Sequence, residues 1–189
     1  MKKTLGILLI LLVLIACGDQ QMGITDYETN KVKFEKLIFN SNNGEFSMTL
    51  PKNWFYNEET IDSKKVLYLL EAGSKDSNFM AINVIKMNTI SGNIDKEFDQ
   101  LINQMTKRAN NIKVIEKSQM KIGNKTSKIA LLKYENNGKI SQEEIDFFIP
   151  INDKQFYYLS LVSNYNENIE NNFGMMIECA KTFKLIKKL

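Results

Sequence analysis

Between residues 113 and 163 the chain runs through four strand-length segments, and every reversal between them carries turn chemistry. The segments are 113–122, 127–134, 141–149 and 155–163. The reversals hold Gly123-Asn124, Asn137-Gly138 and Asn152-Asp153. Gaps this short leave no room for a parallel crossover, which needs a dozen or more residues, so the four segments must form an antiparallel meander. Tyr157, Leu159 and Leu161 alternate with Phe156, Tyr158 and Val162, which puts apolar residues on both faces of the last strand. Both sides of the sheet are therefore expected to be at least partly covered.

Upstream, residues 35–39 form a short strand candidate and residues 40–44 a turn. Phe46, Met48 and Leu50 then alternate with Ser47 and Thr49 until Pro51 stops the strand. Apolar runs at 66–70 and 79–87, separated by turn residues 73–78, read as a hairpin. Ile94, Phe98, Leu101, Ile102, Met105 and Ala109 fall on one helical face. Asn93 is placed to cap that helix, with Asp95 and Glu97 near its start and Lys107 and Arg108 near its end. A second helix is expected over 167–181, and Phe183 and Leu185 suit a final short strand. The class is α+β: a mostly antiparallel sheet with helices on both faces.

The first residues address the chain elsewhere. Met1-Lys2-Lys3 precedes residues 5–16, apolar but for Gly6. Twelve residues are too few to cross a bilayer, which takes roughly 20, and the pattern is that of a secretory signal. Its end, Leu14-Ile15-Ala16-Cys17, resembles the bacterial lipobox. The resemblance implies cleavage before Cys17 and lipid attachment, palmitate included, at its thiol. Two or three acyl chains make a stable anchor where one does not. The implied place is the cell envelope, on the outside of the cytoplasmic membrane or at an outer membrane. Three parts follow: a signal over 1–16, a lipidated polar tether over 17–33, and a domain over 34–189. As a coil the tether would span roughly 20–25 Å.

Composition narrows the chemistry. The net charge of +3 falls to +1 without Lys2 and Lys3, with 23 cationic residues against 22 acidic ones. That balance gives no reason to expect nucleic acid. Histidine is absent, which excludes Ser-His-Asp and Cys-His catalysis and His-ligated zinc. No phosphate-cradling glycine loop occurs, and no cofactor or metal is expected. Lipidation of Cys17 leaves Cys179 alone, without an intramolecular disulfide. Glu143, Glu144 and Asp146 cluster in one strand; Glu144 and Asp146 share a face opposite Ile145 and Phe147, so a solvated outer face is expected. Lys181, Lys184, Lys187 and Lys188 either touch anionic head groups or form a solvated end.

Gly44-Glu45-Phe46-Ser47-Met48-Thr49-Leu50-Pro51-Lys52-Asn53-Trp54 resembles the opening strand of the PsbP-like family. The Ile122-Gly123-Asn124 turn, Ile145-Asp146-Phe147-Phe148, the strand from Phe156 to Leu161 and the closing helix with Thr182-Phe183 fit the same pattern. The resemblance implies an α/β/α sandwich and a prior for protein binding or assembly rather than catalysis; fold alone does not fix function. Trp54, Phe55 and Tyr56 offer two readings, a ligand or partner surface, or, for Trp54, a plug at the end of the sandwich. The expected function is a non-enzymatic envelope lipoprotein, held to the membrane through Cys17, that binds an envelope protein or assists assembly. The alternative is a small-ligand-binding lipoprotein serving a transporter, with a pocket beside Trp54 or Tyr56.

Overall fold

In the computed structural model, which describes residues 22–74, 79–109 and 111–186, all three reversals of the meander are made. A short helix, α1 (Ile24–Thr29), leads into β1 (Lys36–Asn40) and β2 (Phe46–Pro51). Next come β3 (Phe55–Thr60), β4 (Val66–Gly73), β5 (Met80–Asn88) and α2 (Ile94–Arg108). The meander is β6 (Ile112–Ile122), β7 (Lys125–Asn136), β8 (Lys139–Asn152) and β9 (Gln155–Asn164). α3 (Ile169–Lys181) and β10 (Lys184–Leu185) follow it. Asn137 and Gly138 both take positive φ, 52° and 74°, as a two-residue hairpin turn of the right twist requires.

The strands divide between two sheets, and every pairing is antiparallel. Seven strands run in the order β3-β4-β5-β9-β8-β7-β6, and three in the order β1-β2-β10. Pairing β5 with β9 splices the first hairpin onto the meander, with Val84 opposite Leu159. Among the described residues the architecture is a mostly antiparallel sheet with three helices, in which strand outweighs helix.

Alternation sorts the large sheet's side chains into two cores. Leu70, Val84, Leu131, Phe147 and Leu159 point to one side, where they meet Phe46 and Leu50 of the small sheet and Phe173 and Ile177 of α3. Ala130, Leu132, Phe148 and Phe156 point to the other, where they meet Phe98 and Ile102 of α2. Phe98 stands edge-on to Phe148 with ring centres 5.0 Å apart. At the start of α2 the Asn93 side chain accepts the Lys96 N–H at 3.1 Å, the cap its sequence suggested.

Two elements depart from the sequence reading. Residues 24–29, expected to belong to a flexible tether, are a helix with Ile24 and Tyr27 buried. Only two apolar residues, three apart, mark it, too few to set a period. Tertiary contacts hold it instead. Tyr27 packs on Phe173 with ring centres 5.0 Å apart. Ile24 N–H donates to Glu116 Oε2 at 2.9 Å, and Glu28 pairs with Lys181 at 2.6 Å. Gly174 makes the close approach possible: a Cβ there would stand 2.3 Å from the Asn30 carbonyl oxygen. The second departure is β3, whose Asn57-Glu58-Glu59 carries no apolar alternation because it is an exposed edge strand.

Candidate functional site

β3 separates the aromatic residues singled out in the sequence. Trp54 lies just before it, half-buried against the larger core, its main-chain N–H donating to the Pro51 carbonyl at 3.1 Å. Tyr56 is half-exposed and stands edge-on to Phe39, with ring centres 5.3 Å apart. Phe55, one residue away, lies on the opposite face against Gly73. The three rings thus do not converge on one cavity. Tyr56 and Phe55 instead leave apolar surface on opposite faces of β3, and Ile38 and Phe79 are exposed as well.

The carboxylates of β8 are the largest correction. Expected on a solvated face, Glu144 and Asp146 are buried, Asp146 completely. The expected parity is right; the burial comes from neighbours that the strand's own sequence does not contain. Tyr134 of β7 and Ser160 of β9 donate hydroxyls to Glu144, the serine at 2.5 Å. The Tyr158 hydroxyl donates to Asp146 Oδ1 at 2.7 Å. Asp146 Oδ2 has no such donor. Burial first, and then the charge of Glu144, push the Asp146 carboxyl well above the usual carboxylate range. A proton there relieves the repulsion and gives Oδ2 a hydrogen to donate. The phenols of Tyr134 and Tyr158 are likewise pushed up, by burial first. Glu144 and Asp146 are buried while Tyr134 and Tyr158 are half-buried, and the chemistry of the group is that of a polar network.

Glu143 points to the opposite side and is equally buried. Its carboxylate lies 2.8 Å from Lys133 Nζ, directly across the β7–β8 pair, an ion pair rather than a well-aimed hydrogen bond. The Tyr27 hydroxyl donates to its other oxygen at 2.5 Å. Helix α1 is therefore fastened to the sheet through a buried charge.

An open pocket of about 720 Å³ lies away from Trp54 and Tyr56, between the β6–β7 turn and β10. Ile122, Ile149, Phe183 and Leu185 floor it, and Lys125, Lys181 and Lys184 stand around it. Gly123 shapes its wall: with φ +57° the turn passes so close to the Phe183 carbonyl that a Cβ would lie 3.0 Å from its oxygen. Only the turn and the terminal lysines were visible in sequence, and neither announces a cavity. Cys179 is wholly buried, and that burial pushes its thiol up to about 12, so it is not a reactive nucleophile. Among the described residues, no group of three Cys, Asp or Glu side chains could hold a metal ion. Cys17, Lys187 and Lys188 lie outside the described residues.

No protein-family profile matches the chain, and no curated protein matches it in sequence. Solved structures do match in fold. Cyanobacterial PsbP (CyanoP) from Synechocystis sp. PCC 6803 covers 90% of this chain and 97% of its own, with a TM-score of 0.56 at 8% identity. The Ran-binding protein Mog1p of Saccharomyces cerevisiae covers 81% and 96%, with a TM-score of 0.56 at 8% identity. LpqN of Mycobacterium tuberculosis, described as involved in cell envelope biogenesis, covers 89% and 99%, with a TM-score of 0.52 at 12% identity. At such identities the likeness establishes a PsbP/Mog1-like fold and nothing finer.

Proposed function

We propose that this chain is an envelope lipoprotein, anchored through Cys17, whose PsbP-like α/β/α domain is a non-enzymatic accessory that binds another envelope protein. The observation that carries the reading is Cys17 itself, which ends a signal-like apolar run five residues before Met22, a residue packed against the larger core. The fold adds support, since proteins of this shape include one described as Ran-binding and one described as involved in cell envelope biogenesis. The partner surface in this reading is the exposed apolar surface at Tyr56, two residues after the half-buried Trp54. No nucleic acid and no cofactor enter it.

Growth with an alkyne-bearing palmitate tests the anchor. Label should appear on the wild-type protein and vanish with Cys17→Ala. A photo-crosslinking residue placed at Tyr56 in living cells tests the partner. One envelope protein should be captured there, and none from a matched site at exposed Lys107 on α2. Failure to label would remove the anchor. Capture at neither position, from well-expressed protein, would remove the accessory role.

A further inference from the structure

We infer that the pocket between the β6–β7 turn and β10 binds a single-chain anionic amphiphile, its acyl chain along the apolar floor and its carboxylate or phosphate head at Lys125 and Lys184. This inference does not depend on the anchor at Cys17 or on a protein partner.

Three observations combine. First, the floor of Ile122, Ile149, Phe183 and Leu185 is apolar, and the pocket, at about 720 Å³, lies within the range of small-ligand sites. Second, the charge around it is one-sided. No acidic side chain lines the pocket among the described residues. Lys181 is already neutralised by Glu28 at 2.6 Å. Lys184 has no carboxylate partner among the described residues. Lys125 reaches only the main-chain carbonyl of Ile151, at 3.5 Å. Two cations beside an apolar trough create a site for a ligand that is itself part apolar and part anionic. Third, the apolar surface continues. Leu185 and Ile186 also line a second pocket of about 350 Å³, together with Ile151, Tyr157 and the Lys86–Glu45 ion pair. A chain longer than the first pocket therefore has an apolar path onward.

The contrast with another opening on the molecule sharpens the assignment. The pocket at the start of α2 is lined by Asp95 and Asp153 as well as Lys128, and Lys128 is paired with Asp95 at 2.9 Å. One lysine faces two carboxylates there, so the pocket has no preference for an anion.

The test uses the full chain in phosphatidylcholine nanodiscs and a dodecanoate carrying a terminal diazirine. After irradiation, labelled peptides should contain Ile122, Phe183 or Leu185. The methyl ester of the same probe, which has lost the charge, should label these peptides about tenfold less or weaker still, as should the protein carrying both Lys125→Glu and Lys184→Glu. Lys125→Arg with Lys184→Arg should retain labelling, and unchanged thermal melts would show that each variant is folded. Two competitors then separate the sources. Displacement by lysophosphatidylglycerol added to the bilayer means that the amphiphile is a single-chain membrane lipid. Displacement by free dodecanoate alone means a free fatty acid. Both results uphold the site. Labelling elsewhere on the chain, equal labelling by the ester, or labelling indifferent to the charge reversal would overturn it.

Discussion

Glu143 and Asp146 lie three residues apart on β8, point to opposite faces and are both shut away from water, yet they are kept in opposite ways. Glu143 meets a cation, Lys133, and a phenol from a helix that joins the sheet from outside it. Asp146 meets another carboxylate, Glu144, and hydroxyls from its own sheet. A buried charge must be matched by a partner or neutralised by a proton. One strand uses the first solution on one face and the second on the other. The difference assigns distinct dependences: the Glu143 side depends on a long-range tertiary contact, and the Asp146 side depends on pH.

The most damaging way to break this contrast is Lys133→Met, which leaves Glu143 buried without its cation. A loss of about 3–5 kcal/mol in urea-unfolding stability is expected. A loss below that of an ordinary surface substitution would mean that the pair is not what holds Glu143. Next is Gly174→Ala. The new methyl drives into the Asn30 carbonyl, and relief requires α1 to lift from α3, at about 1–3 kcal/mol. Proteolysis should then cut near residues 24–33 while the β6–β9 amides remain protected from exchange.

A finer probe is Tyr27→Phe. It retains the ring contact with Phe173 but removes the donor to Glu143, for about 1–3 kcal/mol, and amide exchange in α1 should quicken. The smallest effect belongs to the other face. Because the folded pKa of Asp146 lies above its unfolded value, the stability it contributes is complete below the ordinary aspartate range. That stability is lost as pH rises toward the folded value. Asp146→Asn should therefore flatten the melting temperature against pH from the acid side upward. At neutral pH the variant should equal or exceed wild type by about 1 kcal/mol, since the amide carries no charge to bury. An unchanged pH slope would show that Asp146 is not the protonated group.

What the sequence disclosed follows the range of the forces involved. The meander and α2 were legible because turn residues and helical period act over a few positions, as at Asn137-Gly138 and at Asn93. The parity of Glu144 and Asp146 was legible for the same reason. Their burial was not, because Tyr134, Tyr158 and Ser160 arrive from other strands and α2 covers the neighbouring surface. Helix α1 was missed because its stability comes from Phe173, Glu116 and Glu143, up to 146 positions away in the chain (173 − 27). The pocket was missed because its floor is assembled from β6, β8, β10 and the residue before β10.

The docking of α1 also sets how freely the molecule can turn. Only four residues separate Cys17 from Met22, a reach of at most about 18 Å even when fully drawn out. On the proposed anchor, a domain wider than that reach is long could not tumble as if on a long leash. It would glide in the plane of the bilayer with a restricted set of headings. A partner in the same membrane would then meet it in two dimensions rather than three, within the thin layer that the short connection lets the domain explore.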